Sequence, residues 1–119
     1  MLIGHEPLDD RVLKINLSGR MDHAGSAEIH DSLALLTAPP ANAVIVDLSK
    51  VEIITSVGIR TLLLNAKALK SRGGRLVLLN PDATVTKVLA ISGVDRVIGV
   101  FRDLETARAN LGCDPSADA

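Results

Sequence analysis

Thr55-Ser56-Val57-Gly58-Ile59-Arg60 holds the residues of this chain best suited to chemistry. The apolar run Val44-Ile45-Val46-Asp47-Leu48 precedes it, and an amphipathic pattern from Ile59 to Lys70 follows. Its hydroxyls therefore stand where a strand and loop hand over to a helix. The first turn of a helix leaves backbone N–H groups unpaired and carries the positive end of the helix dipole. A phosphoryl group on Ser56 would add about −1.5 to −2 charges where they are welcome. Arg60 lies four residues on, on the same helical face, where it can pair with that phosphate or with an acidic partner. The plainer reading of the same residues is an N-cap by Thr55 or Ser56, typically worth about 1 kcal/mol. Neither is followed three positions later by Glu or Gln, so there is no capping box. Gly58 just inside the helix costs roughly 0.5–1 kcal/mol relative to Ala. That cost makes sense if a partner or nucleotide approaches the backbone closely. On these residues alone, switch and cap stand level.

Other chemistry finds less support. The nucleophile elbow reads G-x-S-x-G, but Ile54 stands two residues before Ser56. Asp22 and His23 are adjacent and could be imagined in a triad, but they read more simply as surface residues of a loop. His23 and His30 are seven apart and Cys113 is alone, so no metal-ligand spacing appears. Neither a G-x-x-x-x-G-K-[ST] loop nor a G-x-G-x-x-G fingerprint is present. The chain reads as a binding module, with no catalytic residues and no cofactor.

Composition narrows the partners. The 13 basic and 14 acidic residues nearly cancel, leaving no cationic excess for a nucleic-acid backbone. Phe101 is the sole aromatic residue, so no stacking platform exists for single strands or sugars. A lone cysteine fits a reducing cytosol. No signal-peptide pattern opens the chain, and no apolar run nears the roughly 20 residues of a membrane span. A soluble cytoplasmic domain is expected.

The elements that must position the turn follow from periodicity. Val12 to Leu17 alternates, with Leu13, Ile15 and Leu17 on one side and Lys14 and Asn16 on the other, as in a half-buried strand. Ile3 to Leu8 is expected as its hairpin partner across Asp9-Asp10. Residues 19–25 read as a loop, and 26–37 as a helix with Ile29, Leu33 and Leu36 inward, stopped by Pro39-Pro40. Val44 to Leu48 is expected as a central strand. In the helix beyond it, Ile59, Leu62, Leu63, Ala66 and Leu69 face in, while Arg60, Thr61, Asn65, Lys67 and Lys70 face out. Gly73-Gly74 stops that helix and Leu76 to Leu79 forms a buried strand. Asn80 is expected to cap the next helix, with Pro81 at its first position and Asp82 complementing the dipole. A last strand over 97–100 and a helix capped by Asp103 complete the pattern, and 112–119 read as a frayed tail. The order argues an α/β fold with a largely parallel sheet after an initial hairpin. Reactive groups in such folds lie beyond the carboxyl ends of strands, which is where Thr55-Ser56 falls.

Five landmark segments then carry a family resemblance. They are Leu17-Ser18-Gly19-Arg20-Met21-Asp22, Val44-Ile45-Val46-Asp47-Leu48-Ser49, Thr55-Ser56-Val57-Gly58-Ile59-Arg60, Arg72-Gly73-Gly74-Arg75-Leu76 and Ile91-Ser92-Gly93-Val94-Asp95. In this order and at these separations they resemble the STAS-domain anti-sigma factor antagonists. The resemblance implies one STAS-like domain over 1–111. Its sheet would be mixed and largely parallel, with four to five strands and about four helices. It implies binding to an anti-sigma factor that is also a serine kinase, with Ser56 on the phosphorylated position and a serine phosphatase resetting it. Asp22 falls on an acidic loop residue near the kinase interface, so the implied contact comprises Asp22, Thr55, Ser56, Val57, Gly58 and Arg60. Thr55 and Val57 depart from the usual D-S-[ST]-G and approach a variant branch, S-S-A-G-L-R, which keeps the serine and the arginine. The alternative is a scaffolding STAS domain in a stress-signalling or transporter assembly, with Ser56 only a cap. A nucleotide-binding or hydrolytic domain is the remaining alternative and would show ATP or GTP affinity.

Overall fold

The computed structural model describes residues 1–112. In chain order they form β1 (Leu2–Pro7), β2 (Val12–Met21), α1 (His23–Thr37), β3 (Ala43–Ile54) and α2 (Ser56–Lys70). These are followed by β4 (Arg75–Leu79), α3 (Ala83–Ser92), a short 3-10 turn (Val94–Arg96), β5 (Val100–Phe101) and α4 (Leu104–Gly112). The five strands lie in the order β1-β2-β3-β4-β5. β1 runs antiparallel to β2, and every later neighbour is parallel. This is the mixed, largely parallel sheet with four helices that the sequence implies.

Handedness explains the layering. Each crossover from β2 to β5 steps the same way across the sheet, so right-handed connections put α1, α2 and α3 on one face. Ile29 and Leu33, Ile59, Leu62 and Leu69, and Val85 and Leu89 accordingly share one core with Val44, Val46, Leu48, Leu76 and Leu78. The opposite residues of the same strands, Ile45, Val77 and Leu79, pack under Ala107 and Leu111 of α4. Period-two alternation sends successive side chains to the two layers. The expected split of β2 holds, with Ile15 and Leu17 buried in the three-helix core. Lys14 lies on the other side of the sheet, 3.5 Å from Glu6 and 3.4 Å from Asp47.

Several local expectations need correction. The Gly19–Gly25 segment is not a loop: β2 runs to Met21, Asp22 is a helix cap and α1 begins at His23. β3 does not stop at Leu48 but continues to Ile54 beside a β2 whose register shifts twice, between Asn16 and Ser18 and between Gly19 and Arg20. Asn80 does not cap α3. It takes a left-handed φ of 50°, and the Asp82 carboxylate accepts from the Val85 N–H at 2.8 Å. Val97 lies outside a strand: β5 is only Val100–Phe101. Gly112 belongs to α4, and the rest of the expected tail, 113–119, lies outside the described residues. Asp9 and Asp103 behave as turn and cap residues, each accepting from backbone N–H groups two or three positions on.

Thr61 and Asn65 are the main surprise of α2. Expected to face water, both are buried. α1 packs against α2 at this point, and the Thr37 hydroxyl donates to Asn65 Oδ1 at 2.7 Å. Asn65 Nδ2 donates to the Thr61 carbonyl at 2.8 Å, and the Thr61 hydroxyl to the Val57 carbonyl at 3.1 Å. Buried polar groups are tolerated when paired in this way.

Candidate functional site

The Ser56 turn is built by two strand ends. Met21 and Ile54 are register partners at the carboxyl ends of parallel β2 and β3, and each strand leads directly into a helix. The helices therefore begin side by side, with the Met21 main chain between them. Thr55 fixes the junction, its N–H donating to the Met21 carbonyl at 3.1 Å and its hydroxyl to the same oxygen at 3.3 Å. The Thr55 hydroxyl is thus spent on β2 and does not cap α2.

Gly58 completes the contact. A Cβ on it would lie 2.7 Å from the Met21 carbonyl oxygen, 2.8 Å from Met21 Cγ and 3.0 Å from Ile54 Cγ1. The close backbone approach that Gly58 permits is therefore internal: the first turn of α2 rests on Met21, which is fully buried. The same device recurs in α1, where a Cβ on Gly25 would fall 1.8 Å from the Arg20 carbonyl oxygen.

The two helix starts differ electrostatically. Asp22 caps α1, accepting from the Gly25 N–H at 2.8 Å, and its other oxygen faces Arg20 Nε at 3.4 Å. The Gly25 N–H bond, aided by Arg20, holds its carboxyl below the usual range. α2 has neither a side-chain cap nor an acid in its first turn. Ser56, its first residue, is exposed, and the first backbone bond of the helix runs from Ile59 to Thr55 at 3.0 Å. The positive end of α2 is thus uncompensated and open to solvent beside a serine hydroxyl. Arg60 is exposed one turn along and takes no part in the ion pairs found among the described residues.

The structure thus brings Asp22, Thr55, Ser56, Val57, Gly58 and Arg60 to one pole of the molecule, at the carboxyl end of the sheet. Ser56 and Arg60 are exposed, Asp22, Thr55 and Val57 are half-buried, and Gly58 is buried. Sequence reasoning overlooked Met21 as the support of the turn. The signal was there: an apolar residue followed by Asp22 and, three positions on, by a glycine is a strand end running into a tightly packed helix. Among the described residues, no group of His, Cys, Asp or Glu could hold a metal ion, and no helix is long and apolar enough to cross a membrane.

The STAS domain family matches residues 7–107, from before β2 into the first turn of α4, and includes the whole of this turn. The chain belongs to the STAS-domain family. It is 32% identical over 100 residues to BtrV of Bordetella bronchiseptica, a protein named as a candidate anti-sigma factor antagonist, covering 84% of this chain and 86% of that one. A Thermotoga maritima structure described in the same terms superposes with a TM-score of 0.84 at 20% identity, covering 92% of this chain and 93% of that one. SpoIIAA, an anti-sigma factor antagonist, gives a TM-score of 0.75 at 24% identity in its unphosphorylated form, with 89% and 92% covered. Its phosphorylated form, from Bacillus, gives 0.69 at 23%, with 92% and 98% covered. These solved structures share the fold of this STAS domain.

Proposed function

We propose that this protein is an anti-sigma factor antagonist, a cytoplasmic binding module whose contact with an anti-sigma factor centres on Ser56 and is switched by phosphorylation there. The observation that carries the reading is the unlike pair of helix starts. α1 has its own carboxylate cap in Asp22, whereas α2 offers an exposed serine on an uncapped first turn. The likeness to BtrV and to SpoIIAA, solved in unphosphorylated and phosphorylated forms, supports it.

The mechanism is electrostatic. The unphosphorylated face presents Ser56, Arg60 and the partly exposed Asp22, and the partner covers them. Phosphorylation adds about −1.5 to −2 charges inside that contact. In the free protein the phosphate is stabilised by the open N–H groups of α2 and by Arg60. In the complex it must be desolvated next to whatever acidic group faced Arg60. An uncompensated charge of this kind costs about 3 kcal/mol or more, a loss of affinity on the order of a hundredfold. The partner is an anti-sigma factor with serine kinase activity, and a serine phosphatase resets the switch.

The direct test is incubation with the cognate anti-sigma factor and ATP, followed by phosphosite mapping. Ser56 is the expected acceptor, Ser56→Ala blocks incorporation while keeping partner binding, and Ser56→Asp weakens binding. Equal labelling of wild type and Ser56→Ala would overturn the assignment.

A further inference from the structure

The opposite end of α2 holds a second feature. A cavity of about 410 Å³ lies where the last turns of α2 meet the start of β4 and the 97–99 segment before β5. Lys67 is eleven residues from Ser56, roughly 16 Å along the helix, so this cavity is far from the turn described above. Its volume falls in the range of about 300–1,000 Å³ typical of small-molecule sites.

Its walls are apolar and its rim is cationic. Leu63, Ala66, Leu76 and Ile98 form the interior, and Val97 stands at the opening with 66% of its surface exposed. Lys67, Lys70 and Arg75 also line it, and no acidic side chain does. The lysines are not occupied by the helix end they sit on. The carbonyls of Lys67, Leu69 and Lys70 accept backbone N–H groups of Ser71, Arg72, Gly73 and Gly74. The Ala68 carbonyl accepts from the Ser71 hydroxyl and the Arg72 guanidinium. Neither lysine's ammonium group takes part in the hydrogen bonds or ion pairs found among the described residues, whereas the Arg75 guanidinium donates to the Asn110 carbonyl at 3.4 Å.

We propose that this cavity binds a small amphipathic carboxylate, its apolar body against Leu63, Ala66 and Ile98 and its carboxylate between Lys67 and Lys70. An apolar pocket rimmed by cations alone disfavours a cationic ligand and gives a neutral one only half of the available contacts. The proposal is independent of Ser56 and of any anti-sigma factor.

The test uses octanoate as probe and 1-octanol as its uncharged counterpart, each titrated to a few mM, near the affinity a ligand this small reaches. Backbone amide shifts are followed by NMR in the full chain. The expected result is saturable shifts at Gly73, Gly74, Val97 and Gly99, with 1-octanol binding roughly tenfold more weakly. Lys67→Glu with Lys70→Glu should lower octanoate affinity by about tenfold or more while leaving the spectrum dispersed. The milder Lys67→Gln with Lys70→Gln guards against a folding effect and should give a smaller loss in the same direction. Non-saturating shifts, equal binding of alcohol and acid, or unchanged affinity in both double variants would each overturn the proposal.

Discussion

Replacing Gly58 with alanine tests how the Ser56 turn is built. The new methyl would sit 2.7 Å from the Met21 carbonyl oxygen and 2.8 Å from Met21 Cγ, where apolar contacts normally lie at about 3.5–4.0 Å. Met21 Cγ could swing away, but the carbonyl cannot. It belongs to a strand paired with β3 and already accepts from the Thr55 N–H at 3.1 Å. Relief therefore has to come from moving α2 outward. Overpacking of this kind costs roughly 1–3 kcal/mol, and a fixed backbone neighbour puts this site at the upper end. Alanine regains up to about 1 kcal/mol through helix propensity. A net loss of about 2 kcal/mol is expected, or roughly 6–12 °C in Tm for a domain of this size. The assay is urea and thermal unfolding followed by circular dichroism, with Gly4→Ala as control, because a Cβ at Gly4 meets nothing within 4 Å. Gly4→Ala should stay within about 0.5 kcal/mol of wild type. A Gly58→Ala protein as stable as wild type, or more so, would refute the claim that the first turn rests on Met21.

Other outcomes follow from the same geometry. Thr37→Val leaves Asn65 Oδ1 without its buried donor and should lower stability by about 1–3 kcal/mol, read from the urea midpoint. Asp82→Ala removes the cap of α3 and should cost about 1 kcal/mol in the same assay, whereas Asn80→Gly, at a left-handed residue that caps nothing, keeps an allowed backbone conformation and should cost clearly less. Asp9, Asp22 and Asp103, held by backbone N–H groups, all have carboxyls below the ordinary value of 3.8. Asp47 is lowered too: its partial burial works the other way, but the Ser49 and Lys14 hydrogen bonds prevail. Groups lowered in the folded state contribute stability that is complete above the unfolded value and is lost as pH falls through the folded ones. The urea midpoint should therefore be flat from neutral pH down to about pH 5 and fall below about pH 4, and Asp22→Asn should shrink that acid-side fall.

The fold was legible wherever one period dominated. Leu13, Ile15 and Leu17 gave β2 its inward face, and Ile59, Leu62 and Leu69 gave α2 its stripe, because burial of one face is all that those patterns encode. Polar residues at packed positions were not legible. Thr61 and Asn65 look solvent-facing in one helix; Thr61 spends its hydroxyl on the Val57 carbonyl of the same helix, and Asn65 is paired by Thr37, brought up by α1 from 28 residues away. Glycine misled in both directions. Gly19 and Gly25 suggested a loop where a strand and a helix meet, and Gly58 suggested an external visitor where the visitor is Met21. For Gly58 the missing fact was a contact between strand ends that lie 33 residues apart in sequence, Met21 beside Ile54, whereas Gly25 rests on the Arg20 carbonyl just before it. At the site itself, the serine, the arginine and the neighbouring aspartate could be named from sequence. That Asp22 caps one helix while the other is left uncapped could not.

The central claim is that a phosphate on Ser56 sets the affinity of this face for an anti-sigma factor. The most direct measurement is calorimetric titration of the cognate anti-sigma factor with this protein before and after enzymatic phosphorylation, with Ser56→Ala carried through both arms. The account predicts tight binding by unphosphorylated wild type and by Ser56→Ala, and a loss on the order of a hundredfold for the phosphorylated wild type alone. Undiminished binding by a chain shown to carry phosphate on Ser56 would contradict it.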